Sequence, residues 1–143
     1  ISVRQDIENL GLKEKTTFVP YLNHPEALDT AGKAALLLLP LNRSPHADGI
    51  VTGKLFEYLA LKRPILCIGP EWGDAAEIIK KCQSGYIAAF GQKQVLRQII
   101  DNIFDDFCHN RLNLPPDDAN SLMEYARPKL TEKLAGILSQ MTR

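Results

Sequence analysis

Only 7% of the 143 residues are aromatic, three are cysteine, and the charges cancel, with 17 Lys plus Arg against 17 Asp plus Glu. Each shortage removes a class of protein. Without a basic surplus there is no electrostatic footprint for nucleic acid, and without an acidic surplus there is no solvating tail. The longest apolar stretch, Ala34 to Leu41, falls far short of the roughly 20 residues that a bilayer-spanning helix needs, and no charged-then-apolar leader opens the sequence. The expectation is a soluble, non-secreted, cytoplasmic protein. Cys67, Cys82 and Cys108 are odd in number, widely spaced and set in apolar segments, which predicts three buried thiols and indicates neither a disulfide framework nor a zinc site.

What is present is 45% hydrophobic content in a chain long enough for one core. Its periodicity changes along the sequence. Val3, Ile7 and Leu10 recur at helical spacing ahead of Gly11, a residue suited to a left-handed helix end. Thr16 to Tyr21 is a β-branched and aromatic run that predicts a strand, and Asn23-His24-Pro25-Glu26 then supplies a polar cap, a first-turn proline and an acid for a helix from about Pro25 to Lys33. Ala35 to Leu39, apolar throughout, predicts a strand covered on both faces, and Pro64 to Ile68 predicts another. Between them Gly53 to Leu61 is helical, with Leu55, Phe56, Leu59 and Ala60 on one face.

Asp74 is the expected N-cap of a helix that buries Ala75, Ile78, Ile79 and Cys82, and Gly85 to Phe90 predicts a last strand. Val95 through Phe107 makes a strongly periodic helix, Asn110 to Asp118 a connection, and Leu130, Leu134, Ile137, Leu138 and Met141 a final helix begun near Pro128. Helices and strands alternate, αβαβαβαβαα. That order predicts an α/β fold, a Rossmann-like parallel sheet with flanking helices.

Open parallel sheets bind ligands beyond the carboxyl ends of their strands. Of the loops placed there, Leu41 to Gly53 is the most informative, because Asp48-Gly49-Ile50-Val51-Thr52-Gly53-Lys54 sets two glycines, a hydroxyl and a lysine directly at a helix start. Backbone N–H groups, the helix dipole and one cation there suit a phosphate. The spacing is not that of a P-loop, and Leu55 stands where Ser or Thr would bind a metal, which disfavours a nucleoside triphosphatase. Glu57, three residues after Lys54, can share a face with it opposite Leu55 and Phe56. A carboxylate one turn inside such a helix can accept both hydroxyls of a ribose.

The run Asp48 to Pro70, DGIVTGKLFEYLALKRPILCIGP, resembles the donor-binding C-terminal domain of the group 1 glycosyltransferases, retaining enzymes of the B-type fold built from two Rossmann domains. Thr17 to Leu28 is similar to that family's third strand and following helix, and Tyr125 to Thr131 is similar to its C-terminal tail. The resemblance implies a site for a nucleoside-diphosphate sugar of UDP, GDP or ADP type, with no metal and no further cofactor. It puts the ribose on Glu57, the diphosphate turn on Ile50, Val51, Thr52 and Gly53 with Lys54, and the nucleobase beside Tyr21 to His24, including Leu22. His24 could alternatively cap its own helix.

The family's first acid stands eight positions before the second. That position is Gly49 here, with Asp48 one residue earlier, so a shifted turn would be needed for Asp48 to meet the transferred sugar. The sequence opens on Ile1 in mid-helix, and the family's two preceding βα units and its acceptor-binding N-terminal domain have no counterpart in it. The resemblance therefore implies a fragment of a bacterial hexosyltransferase of cell-surface polysaccharide or glycolipid assembly, inactive alone. Its partners would be the sugar nucleotide and the N-terminal domain, the parent would sit at the inner membrane face, and an edge strand at Thr16 to Tyr21 could pair with another chain. The alternatives are a nucleoside-diphosphate sugar 2-epimerase fragment and a noncatalytic α/β module that binds a nucleotide or a protein.

Overall fold

The computed structural model describes residues 2–112, 114–116 and 123–141. The fold is α/β. Helix α1 (Val3–Asn9) is followed by a 3-10 turn at Lys13–Lys15, α2 (His24–Gly32), β1 (Leu37–Pro40), a 3-10 turn at Ala47–Gly49, α3 (Gly53–Ala60), β2 (Ile65–Ile68), α4 (Asp74–Lys81), β3 (Gly85–Ala88), α5 (Lys93–Cys108) and α6 (Arg127–Met141). The three strands form a parallel sheet in the order β1-β2-β3. Part of the expected connection over 110–118 lies outside the described residues.

Register decides which side chains meet. Leu37 pairs with Ile65 and Ile65 with Gly85, while Leu39 pairs with Cys67 and Cys67 with Ile87, so these residues line one face. On that face Leu39, Leu41, Ile65 and Cys67 pack with Leu55 and Leu59 of α3 and with Ala75, Ile78, Ile79 and Cys82 around α4. The opposite face carries Leu38, Leu66 and Tyr86, then Pro40, Ile68 and Ala88. Helix α5 packs against β3 and buries Ile103. Burial raises the Tyr86 pKa, and the charge of Asp106 on α5 raises it further.

Four sequence expectations need correction. Thr16 to Tyr21 is not a strand: no ladder partner lies beside it among the described residues, Pro20 has no N–H to donate, and Phe18, Val19 and Tyr21 are exposed. The sheet edges are therefore β1 and β3. Strand β1 is covered on one face only, because Leu37 and Leu39 are buried while Leu38 is 53% exposed. Continuous burial belongs instead to the central strand, where Ile65, Leu66 and Cys67 are all covered.

The N-cap of α4 is Gly73, extended at φ −86° and ψ 164°, and Asp74 is already the first helical residue. Its charge still lies in the first turn with Glu77, at the positive end of the helix dipole. Cys108 is exposed, not buried, because it is the last residue of a helix whose outer positions face away from the sheet. Cys67 and Cys82 are buried as expected. Gly11, at φ +67°, takes the left-handed conformation that its place after the first helix predicts.

Candidate functional site

Three connections gather at the carboxyl end of the sheet. Leu41, just past β1, donates its N–H to the Ile68 carbonyl, and Gly69, just past β2, donates to Ala88. A Cβ placed on Gly73 would lie 2.8 Å from the backbone oxygen of Asp48, so the turn at Ala47–Gly49 rests directly on the N-cap of α4. Glycine is needed at Gly73 for this approach. Asp48 and Gly49 are exposed on that turn, Val51 is exposed beside it, and Thr52 is the N-cap residue of α3. Thr52 caps with no side-chain bond, and its buried Oγ1 has no hydrogen-bond partner among the described residues. Gly53 opens the helix, and Lys54 is exposed.

Helix α3 has two working faces. Leu55 and Leu59, four apart, enter the core. Gly53, Phe56, Glu57 and Ala60 follow the same helical spacing about a third of a turn away and line an open cleft of about 510 Å³. Phe56 and Ala60 are thus not part of the buried stripe expected with Leu55 and Leu59, and they share the side of Glu57. Among the described residues no ion pair joins Lys54 to Glu57.

Glu57 is instead bonded to His24, with 3.0 Å between Oε1 and Nε2. An ionised carboxylate only accepts, so Nε2 carries the proton and donates it to the bond. His24 does not cap its helix. Asn23 does, accepting from the Glu26 N–H at 3.0 Å while Glu26 Oε2 accepts from the Asn23 N–H at 3.3 Å, a reciprocal capping box. With Asn23 engaged by the backbone, the neighbouring imidazole is left to reach α3. The bond brings the start of α2, and with it the segment that leads into it, to Glu57 across 33 residues of sequence. Within that segment Leu22 is half-buried and Tyr21 is 96% exposed.

The far wall of the cleft comes from the C-terminal part of the chain. Tyr125 and Phe56 rings stand 5.9 Å apart at 42°, a tilted contact, and Arg127 and Leu130 complete the wall opposite Leu28 of α2. A hydrogen bond of 2.6 Å from Lys81 Nζ to Glu124 Oε2 fastens this segment to the end of α4. It holds the Glu124 carboxyl below its ordinary pKa of 4.5 and raises the Lys81 ammonium above 10.5.

Of the site residues anticipated from the sequence, Gly53 and Glu57 line the cleft, and Asp48 lies in the turn that rests on Gly73. Tyr125 and Arg127 were not among them. Tyr125-Ala126-Arg127 did stand out as part of a tail-like motif, yet only folding sets it against α3. Among the described residues no three His, Cys, Asp or Glu side chains gather so as to hold a metal ion, and no helix is long and apolar enough to cross a membrane. No protein-family model, curated protein or solved structure matches the chain.

Proposed function

We propose that the chain forms the donor half-site of a glycosyltransferase, binding a nucleoside-diphosphate sugar for transfer to a polysaccharide or glycolipid acceptor held by a separate domain. The observation that carries this reading is the bond between His24 and Glu57. The resemblance assigns the nucleobase to the segment Tyr21 to His24 and the ribose to Glu57, two places far apart in sequence, and a direct bond between them supports treating them as one site. Glu57 retains carboxylate lone pairs for ribose hydroxyls after accepting from His24.

The diphosphate would lie at the start of α3, where the N–H groups after Thr52, the helix dipole and Lys54 offset its charge. As the glycosidic bond breaks, negative charge accumulates on the leaving diphosphate, and positive groups fixed in place stabilise it. Glu57 transfers no proton in this scheme, and the acceptor would be activated from the other domain.

Thermal denaturation with UDP, GDP and ADP tests the reading. At least one should raise the melting temperature, since a ligand at about 100 times its Kd adds about 2.7 kcal/mol of stability. Glu57→Ala should remove that rise without lowering the melting temperature of the free protein by much, because Glu57 is outside the core. Equal shifts in Glu57→Ala and wild type would refute the ribose assignment. No shift with any of the three at millimolar concentration would refute nucleotide binding.

A further inference from the structure

The cleft beside α3 contains a cation that the loop motif does not include. Arg127, exposed at the start of α6, shares this cleft with Gly53 and Glu57. Neighbouring cations are occupied: Lys129 is bonded to Glu132 at 2.6 Å, and Lys81 to Glu124. Arg127 forms no ion pair among the described residues. The rest of the wall is apolar and aromatic, from Leu28, Phe56, Tyr125 and Leu130. A cleft of about 510 Å³ with apolar walls and few polar groups has the size and character of a small-molecule site.

Its two charged groups differ in what they recognise. A carboxylate at Glu57 accepts from hydroxyls and repels phosphate, whereas a guanidinium binds phosphate through paired N–H groups. A ligand with a hydroxyl-bearing end and an anionic end is therefore oriented by the cleft.

We infer that Arg127 is a second diphosphate-binding residue, which meets a nucleoside diphosphate from the C-terminal side of the cleft while Gly53 and the start of α3 lie on the other. This rests on the nucleotide-binding reading above. Fastening of Glu124 to Lys81 holds the segment that carries Tyr125 and Arg127.

Calorimetric titration of the full chain with UDP, GDP and ADP, and with the nucleoside of whichever binds most tightly, tests the assignment. Arg127→Gln should weaken the diphosphate by about tenfold or more and leave the nucleoside unchanged, since a bond to a charged group is lost only where phosphate is present. Arg127→Lys should recover part of the loss, and Lys129→Gln, outside the cleft, should bind as wild type does. Arg127 is on the surface, so these variants should melt with the wild-type protein. If Arg127→Gln binds the diphosphate as tightly as wild type while Glu57→Gln and Lys54→Gln do not, nucleotide binding survives and the role of Arg127 is overturned. If the wild-type chain binds none of the three diphosphates, both readings fall together.

Discussion

Glu57 illustrates how much a single side chain depends on its surroundings. Its neighbour along the helix, Lys54, is at a spacing that permits an ion pair, yet the carboxylate is taken by His24 from another helix. A helical pair in this orientation is worth only about 0.2–0.5 kcal/mol, too little to dictate the rotamer against a competing donor. The cysteines show the same dependence. Burial pushes the Cys67 thiol up to about 11, so it stays protonated and unreactive near neutrality, and Cys82 is likewise enclosed. Cys108 is open to solvent. Under native conditions a thiol reagent such as Ellman's should therefore react rapidly with one group per chain and reach the others only on unfolding. Cys108→Ser should remove the rapid phase; a rapid phase that persists would place Cys67 or Cys82 at the surface.

At the scale of elements, β propensity and burial part company. The run from Thr16 to Tyr21 has residues that strands favour, but a strand exists only where another backbone accepts its hydrogen bonds. Strand β2 has neighbours on both sides, which explains why Ile65, Leu66 and Cys67 are all buried. Its close pairing with β3 has a specific requirement at Gly85, where a Cβ would lie 1.9 Å from the Ile65 carbonyl oxygen. Gly85→Ala must push the two strands apart. The expected cost is about 1–3 kcal/mol, the usual range for overpacking, seen as a lower midpoint in urea unfolding. A midpoint equal to wild type would show that the strands do not approach in this register.

For the whole molecule, the question is what keeps the C-terminal segment against the sheet-bearing part. Apolar contact between Phe56 and Tyr125 contributes, and the exposed pair Lys81–Glu124 adds an electrostatic fastening that titrates. Its hydrogen bond with Lys81 makes Glu124 hold a proton less tightly in the folded chain than in the unfolded one, so its stabilisation is complete above the unfolded value of 4.5 and fades as acid protonates it. Lys81 is raised by the same bond, so its share is complete below 10.5 and is lost as alkali deprotonates it. Between about pH 6 and about pH 3 the melting temperature of Glu124→Gln should fall less steeply than that of wild type. Salt at about 1 M, where screening acts over about 3 Å, should narrow the difference. Parallel slopes for the two proteins would mean that the pair does not hold the segment in solution.

Composition and periodicity alone determined the fold class: alternating helical and apolar strand periods leave few arrangements besides a layered α/β sheet, and Asn23 through Glu26 marked a helix start with its own local chemistry. The turn leading into Gly53 and the exposed position of Lys54 were equally legible, since loop glycines and a helix start are local features. Partners separated in sequence were not. Whether Thr16 to Tyr21 finds a ladder, whether Leu38 is covered, which side of α3 Phe56 takes, and that His24 meets Glu57 while Arg127 faces the same cleft all depend on contacts between distant segments. Local pattern states what a residue can do; packing selects which of several nearly equal options it does.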